Sequence, residues 1–450
     1  MAEVSVPVAP PRVEAVSTRA AERFLSLPRC AALAFVTLFA LTFDDGFVHD
    51  DGVGYFTFLR RLFGADQAGV AYQFGSAFWN APFYLASQLV AARGELDRFH
   101  AGEIGVNVAS NVAMILCLYL GWLILRELEL PRGPAVLLLT LFGTPLFYYG
   151  VESTSYKHAA DALYVTAACW FALRATRPAA RRLDYVAAGA CLGLAVVTRY
   201  ANAAILISIV GVFAILRLRR AATWIGATTV ATVAVLLLVP VVRHIPYGQP
   251  TNLYALGASS VIDPVLHNSQ FSATAPVKML FTLHRGLFIW TPLTLLATVG
   301  YVLLVRRDRR HRPFLAALGV SALALLLAHS LWGRQWDGGG SFSQRFLTAL
   351  FPFFLVGTAG LLQRAPRLGL ALAIPCALFS LWIGLVFYTA YYQSSPRDSV
   401  VQIVHNFRSI TGKPRNRYHK PPPYDSLQNF GRELADGISA RWRLYWRLVS

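Results

Sequence analysis

The sequence contains few charged residues, and the shortage is greatest among the acidic ones. Of 450 residues, 14% are charged, and 23 are Asp or Glu against 41 Lys or Arg. Ordinary soluble domains carry roughly 25% charged residues. Hydrophobic residues make up 56% of the chain. This composition excludes an ordinary soluble domain and indicates an integral membrane protein.

Cysteine is scarce as well. The chain has five cysteines, and all of them fall in or beside apolar stretches. Their spacing fits neither a metal site nor an external disulfide framework. We therefore interpret them as small buried apolar residues. They are Cys30, Cys117, Cys169, Cys191 and Cys376.

The net charge of +18 is of the size found in nucleic-acid-binding proteins, but a recognised binding motif is missing. Most arginines fall in short turns between apolar stretches. There, membrane orientation and anionic lipid account for them. Nucleic acid is therefore excluded as a partner.

Apolar stretches long enough to cross the hydrocarbon core recur along the chain. They are too long and continuous for barrel strands, so we predict an all-α polytopic membrane protein with eleven transmembrane helices. The predicted spans are 26–43, 104–125, 134–150, 158–174, 185–198, 201–216, 223–242, 286–305, 313–331, 347–363 and 369–391.

Loops rich in basic residues alternate with loops poor in them along all of these spans, which predicts a cytoplasmic N-terminus. The first apolar stretch also fits a signal peptide, but an A-x-A-like cleavage site does not follow it, so we expect an uncleaved anchor. The predicted organisation is a cytoplasmic segment 1–29, a transmembrane body 30–392 with external loops 44–103, 243–285 and 332–346, and an external basic and aromatic tail 393–450. Amphipathic helices are expected at 52–63 and 74–92 and, in the tail, near 430–445.

The first external loop opens with the run FVHDDGVGYF at 47–56, which holds Asp50 and Asp51. A carboxylate that takes a proton from a hydroxyl acceptor is typical of transfer chemistry. Gly52 lets the backbone approach a ligand. Asp-Gly is equally typical of a solvated turn, so the dipeptide alone does not decide between the two interpretations.

Other ionisable residues are predicted on the same external face. Arginines at helix ends often extend to lipid headgroups, yet several on one face also suit a phosphate, which guanidinium groups bind bidentately. The candidates are Glu152, Lys157, His158, Arg199, His284, Arg285, Arg334, Asp337 and Arg345.

The order of several short motifs resembles the GT-C superfamily of membrane glycosyltransferases, which includes protein O-mannosyltransferases and the lipid A aminoarabinose transferase. The resemblance spans about residues 30–392 and is greatest to bacterial members. The motifs are DGVGY at 51–55, YQFGSAFWNAPFYL at 72–85, VESTSYKHA at 151–159, RYAN at 199–202, the stretch from His284 to Pro292, and WDGGGSFSQRF at 336–346. Lys157 and the doubled Asp50-Asp51 depart from the pattern.

The resemblance implies an enzyme that moves a hexose or pentose from a polyprenyl-phosphate donor to a glycan, lipid or protein acceptor. Asp51 is then the expected general base, with Asp50 as the alternative. Arg199, Arg285 and Arg345 would neutralise the leaving phosphate. Substrate contacts are expected from Glu152, Lys157, His158, His284 and Asp337.

The resemblance also implies a site in the bacterial inner membrane with its active face in the periplasm. A site without a metal or other cofactor is expected, although Asp51, Glu152 and His158 are suitable ligands for a divalent cation. The alternatives are a transporter or lipid flippase and a non-catalytic assembly subunit. Transporters commonly contain internal repeats, and we find none in the sequence.

Overall fold

In the computed structural model, the described residues are 48, 51–64, 73–93, 97–243, 273–330 and 341–390. All of them fall in one compact unit, Ala40–Ser450. The predicted first span, the tail helix, Asp50, Arg334 and Asp337 lie outside the described residues.

The described part of the chain is built from helices and contains no strand. The α-helices are α1 Asp51–Leu62, α2 Gly75–Ala91, α3 Arg98–Glu127, α4 Gly133–Phe142, α5 Pro145–Phe147, α6 His158–Ala175, α7 Arg182–Thr198, α8 Ala203–Ile215, α9 Arg219–Val242, α10 Ala275–Phe281, α11 Leu287–Trp290, α12 Leu293–Val305, α13 Arg312–Ser330, α14 Phe351–Arg364 and α15 Pro366–Ala390. A π-helical turn at Tyr148–Glu152 and 3₁₀ turns at Tyr200–Asn202 and Arg345–Leu350 complete the list.

Each predicted span that falls within the described residues overlaps one or more helices, although 134–150 is divided by a bend and 286–305 contains both α11 and α12. Five helices there are long and apolar enough to cross a membrane, or six if one bent pair forms a single span. The all-α polytopic prediction is confirmed. The total of eleven spans stays a prediction.

The bent pair joins α4 to α5 and its π-helical turn at an angle of 71°. Pro145 cannot continue the hydrogen-bonding pattern of α4, and the Thr144 hydroxyl accepts from the N–H of Leu146 at 3.4 Å to start the new helix. The π-helical turn ends at Glu152. The bend thus determines where this carboxyl group lies.

The predicted break between the fifth and sixth spans is confirmed. Arg199 has an extended backbone (φ −152°, ψ 114°) after α7, and one 3₁₀ turn leads into α8. The Asn202 amide stabilises the break because it donates to the carbonyl of Ala195 at 2.9 Å.

Helices α12 and α14 pack backbone to backbone. A Cβ atom on Gly357 would collide with the carbonyl of Ala297, and one on Gly300 would collide with the carbonyl of Gly357. Small residues allow such close approach where lipid supplies little hydrophobic driving force between helices. This contact fixes α14, and with it the 3₁₀ turn that carries Arg345.

The two predicted amphipathic segments of the first loop are helices α1 and α2. Helix α1 buries Tyr55, Phe56, Phe58 and Leu59 on one face. The ring of Phe58 stacks on Phe74, just before α2, with centroids 5.1 Å apart. Their helical structure is confirmed, and their position at the membrane surface stays a prediction.

Candidate active site

Asp51 and Arg345 form an ion pair between the first and the last third of the chain. Asp51 is the first residue of α1, and its Oδ2 accepts from a guanidinium nitrogen of Arg345 at 2.5 Å. The Asp51 side chain is 31% exposed and that of Arg345 13%. A carboxylate at a helix N-terminus is also favoured by the helix dipole. The pair is therefore partly open to a ligand.

Arg199 lies deeper and holds the backbone next to Arg345. Its guanidinium donates to the carbonyls of Arg345 and Phe346 at 3.3 and 3.2 Å. It also lies 3.7 Å from the buried carboxylate of Asp161 and 4.8 Å from the centre of the Phe346 ring. Asp161 accepts from the Asn202 amide at 2.5 Å. Arg199 thus positions the Arg345 turn.

His158 joins this network to the preceding π-helical segment. Its Nδ1 lies 3.4 Å from the Arg199 guanidinium, and its ring contacts Tyr149 at 4.5 Å and stacks on Tyr156 at 5.9 Å. The Tyr149 hydroxyl donates to the carbonyl of Phe342 at 3.1 Å. Tyr156 is shared with the Arg345 side of the network, because the Arg345 guanidinium lies 5.7 Å from the centre of its ring.

Lys157 sits beside α1. Its ammonium donates to Oε1 of Gln73 at 2.6 Å and lies 5.1 Å from the centre of the Tyr55 ring. These contacts bring a cation from the start of α6 to the same helix as Asp51.

The charge state of Lys157 is sensitive to its surroundings. Burial lowers its pKa well below the usual value, and the nearby Arg199 and Arg345 lower it further, against the opposing effect of Asp161 and Asp51. An anionic ligand at this position would favour the charged ammonium.

Glu152 and Arg285 lie at a second location, around a buried aromatic cluster. Glu152 is 1% exposed, and neither of its carboxyl oxygens has a hydrogen-bond partner among the described residues. Arg285 is fully buried, donates to the carbonyl of His284 at 2.8 Å, and lies over the rings of Trp290 and Phe387 at 4.8 and 5.2 Å. The aromatic cluster consists of Tyr148, Tyr149, Tyr156, Trp290, Phe342 and Phe387.

The structure thus joins four predicted site residues in one network, Asp51, His158, Arg199 and Arg345, and places a fifth, Lys157, against the same helix as Asp51. Glu152 and Arg285 border the aromatic cluster, with His284 next to Arg285 and half-buried. Asp50 and Asp337 lie outside the described residues.

Sequence reasoning missed Asp161, Asn202, Tyr149 and Tyr156. Asp161 offered a signal, because an ionisable residue inside an apolar span marks a candidate site. Tyr156 lies inside the VESTSYKHA motif, but Tyr149 offered no signal, since aromatic residues are common throughout this chain and their contacts arise from tertiary packing.

Among the described residues, no group of three or more His, Cys, Asp or Glu side chains is arranged to hold a metal ion. The three suggested metal ligands have different neighbours. Asp51 pairs with Arg345, His158 faces Arg199, and Glu152 borders the aromatic cluster. Both the metal-free site and the cation alternative stay predictions.

The fold is similar to that of a membrane glycosyltransferase of known structure, an oligosaccharyltransferase. The archaeal oligosaccharyltransferase AglB from Archaeoglobus fulgidus, in complex with an inhibitory peptide and a dolichol-phosphate, superposes with a TM-score of 0.50 at 12% identity, over 93% of this chain and 64% of AglB. Its complex with Zn and sulfate gives 0.50 at 14% identity, over 91% and 61%. The chain therefore spans less than two thirds of AglB, and the likeness shows the fold alone. The resemblance inferred from the motifs is confirmed at this level.

Within this fold class, residues 95–244 match the family described as dolichyl-phosphate-mannose-protein mannosyltransferase. ArnT from Cupriavidus metallidurans, bound to undecaprenyl phosphate, matches with a TM-score of 0.47 at 17% identity, over 96% of this chain and 76% of ArnT. No curated protein matches the chain.

Proposed function

We propose that this protein is a membrane glycosyltransferase that moves a sugar from a polyprenyl-phosphate donor to a glycan, lipid or protein acceptor. The observation that carries the proposal is the Asp51–Arg345 ion pair, which holds a carboxylate and a guanidinium group 2.5 Å apart. The GT-C fold, the partial family match and the polyprenyl phosphates bound by AglB and ArnT support it.

In the proposed reaction, Asp51 takes the proton of the acceptor hydroxyl while that oxygen attacks the anomeric carbon of the donor sugar. The bond between this carbon and the phosphate oxygen breaks, and the polyprenyl phosphate leaves with the bonding electrons. The configuration at the anomeric carbon is inverted. General bases of this kind contribute about 10²- to 10⁴-fold to the rate.

The cations of the network act on the leaving phosphate. Arg345 offers its planar guanidinium and Lys157 a compact ammonium to the developing charge. Because Arg199 already donates to the backbone carbonyls of Arg345 and Phe346, its proposed role is to orient the turn that carries Arg345. His158 and Tyr149 pack beside Arg199 and so support the proposed phosphate site.

The proposed site faces the exterior of a bacterial inner membrane, with residues 1–29 in the cytoplasm and 30–392 as the transmembrane body. The alternation of basic residues between successive loops supports this orientation. A lipid-linked donor made on the inner face would then have to cross the membrane before it reaches Asp51.

The test is to replace Asp51 and Asp50 separately by asparagine and to assay sugar transfer from undecaprenyl-phosphate-linked sugars in membranes. We expect Asp51→Asn to lower the rate by about 10²-fold or more because the base is lost. Asp50→Asn is the matched control and should retain transfer. If the folded Asp51→Asn protein transfers sugar at the wild-type rate, Asp51 is not the base. If wild type moves the donor across the membrane without transfer, the protein is a flippase.

A further inference from the structure

The start of α3 places a glutamate, Glu103, in the interior of the protein. Asp97 caps this helix, because its carboxylate accepts from the N–H groups of Phe99 and His100 at 2.8 and 3.1 Å. Glu103 follows His100 by three residues, so the two side chains lie on the same face of the helix. Glu103 is 5% exposed. A buried carboxylate is costly unless its oxygens have hydrogen-bond partners.

Both carboxyl oxygens of Glu103 have such partners. Oε1 accepts from the N–H of Val48 at 3.2 Å, and Oε2 lies 2.8 Å from Nδ1 of His100. Val48 is itself buried and precedes Asp51 by three residues. Three residues span at most about 10–11 Å, even when fully extended. The contact therefore ties the backbone just before the proposed base to α3.

The start of α3 also contacts helix α1 on the other side of Asp51. The ring of Phe99 meets that of Phe56 edge to face, with centroids 5.4 Å apart. A Cβ atom on Gly102 would lie only 3.1 Å from the Phe56 ring, so α1 and α3 approach each other closely here. Asp51 is thus held in place through residues that precede it and residues that follow it.

Arg345, the partner of Asp51, is positioned by separate contacts. Arg199 donates to the carbonyl of Arg345 at 3.3 Å, and α14, which follows this turn, packs against α12. A small displacement of the segment before α1 would therefore move Asp51 without moving Arg345. A misplacement of about 1 Å can cost 10²-fold in rate.

We propose that Glu103 is a positioning residue that holds the segment before α1, so that Asp51 lies where it takes the proton of the acceptor hydroxyl. This inference rests on the proposed function, since it treats Asp51 as the base. Glu103 acts through Asp51 and does not contact the substrates. His100 keeps the carboxyl group turned towards Val48.

The experiment measures sugar transfer per folded protein, with undecaprenyl-phosphate-linked mannose, glucose, galactose or arabinose as donor. Glu103→Leu removes the acceptor of the Val48 N–H and should lower kcat by about 10- to 100-fold. The donor KM should change less than about threefold, because Arg345 keeps its own contacts. Glu103→Gln retains an acceptor oxygen and should restore most of kcat. If kcat of Glu103→Leu equals that of wild type, Glu103 does not position the base.

Asp184→Leu is the matched control for a loss of stability. Asp184, in the first turn of α7, is a buried carboxylate that also accepts from one backbone N–H and pairs with one side-chain nitrogen. These partners are the N–H of Arg181 at 3.0 Å and Nε of Arg174 at 2.8 Å. Asp184→Leu should lower stability as Glu103→Leu does but leave kcat unchanged. An equal fall in kcat for both variants would indicate general loosening and overturn the proposal.

A double variant tests whether Glu103 acts through Asp51. In Asp51→Asn the base is already lost, so adding Glu103→Leu should change the residual transfer rate by less than about twofold. If the losses of the two single variants multiply instead, Glu103 acts independently of Asp51, and the proposal fails.

Hydrogen exchange tests the position of the segment apart from activity. The amide of Val48 should exchange at least about tenfold faster in Glu103→Leu than in wild type, and Glu103→Gln should resemble wild type. If Asp51→Asn transfers sugar at the wild-type rate, the proposed function loses its base, and the exchange at Val48 still tests the contact. Unchanged exchange at Val48 in Glu103→Leu would show that Glu103 does not hold this segment.

Discussion

Ion pairs at opposite ends of the helices differ in their exposure to solvent. At the site end, where α1 begins and α7 ends, the side chains of the Arg199–Asp161 pair are 6% and 0% exposed, and the Asp51–Arg345 pair is partly buried. At the loop end, where α3 and α12 end, Arg310 pairs with Glu129 while their side chains are 71% and 68% exposed. Exposed pairs contribute about 0–1 kcal/mol, whereas buried ones carry a large desolvation cost. The exposed Arg310–Glu129 pair is therefore tolerated at little cost, whereas the buried Arg199–Asp161 pair needs its hydrogen-bond partners to offset the desolvation of its charges.

The largest loss of stability is expected from Arg199→Gln, at the buried pair. The substitution leaves the carboxylate of Asp161 buried at 0% exposure without its nearest cation. Breaking a buried pair by removing one partner costs about 3–5 kcal/mol. We expect a lower free energy of unfolding of this size, measured by thermal unfolding in detergent. Asp161→Asn in the same chain should recover part of the loss, and a wild-type melting curve for the single variant would contradict the assignment.

A smaller effect is expected in the pH dependence of donor binding, which tests the charge of Lys157 at the site. Burial and neighbouring arginines lower the pKa of Lys157, and a bound phosphodiester, which does not itself titrate near neutral pH, would raise it again. Donor affinity should then be full below the lowered pKa of the free protein. It should fall as the pH rises from that value to the pKa in the complex, by at most about tenfold per pH unit for one proton.

Lys157→Arg is the control for this pH dependence, because arginine stays charged throughout the range. The affinity of that variant for undecaprenyl-phosphate-linked sugar should vary less with pH. An identical profile for wild type and Lys157→Arg would show that Lys157 does not bind the phosphate.

The smallest effect is expected from Arg310→Gln, which repeats the Arg199 substitution at the loop end. The Arg310–Glu129 pair is exposed and screened by solvent, so the free energy of unfolding should change by less than about 1 kcal/mol. Sugar transfer should equal that of wild type. A loss as large as that of Arg199→Gln would mean that the exposed and the buried pair do not differ in their contribution to stability.

The helices were predictable from the sequence because each apolar run has to satisfy its backbone within lipid. The span expected at 104–125 lies inside α3, and the break expected at 198–202 is present. The prediction that the site residues share one face followed from the alternation of successive loops between the two sides of the membrane. These are local or near-local properties of the chain.

The pairing within the site was not predictable. Arg199, Arg285 and Arg345 were equal candidates for the phosphate, and only the packing of α14 against α12 brings Arg345 to Asp51. Arg285 instead lies within the aromatic cluster. The bend within the span expected at 134–150 had a signal in Gly143 and Pro145, but its consequence for Glu152 depends on tertiary contacts.

The Asp51–Arg345 pair also sets an order of events during synthesis. The two residues are 294 positions apart, and membrane proteins are inserted from the N-terminus onwards as the chain grows. Asp51 has left the ribosome long before the codon for Arg345 is read. An incompletely inserted chain therefore has the proposed base but not its cationic partner, and the site becomes complete only when α14 packs against the earlier helices.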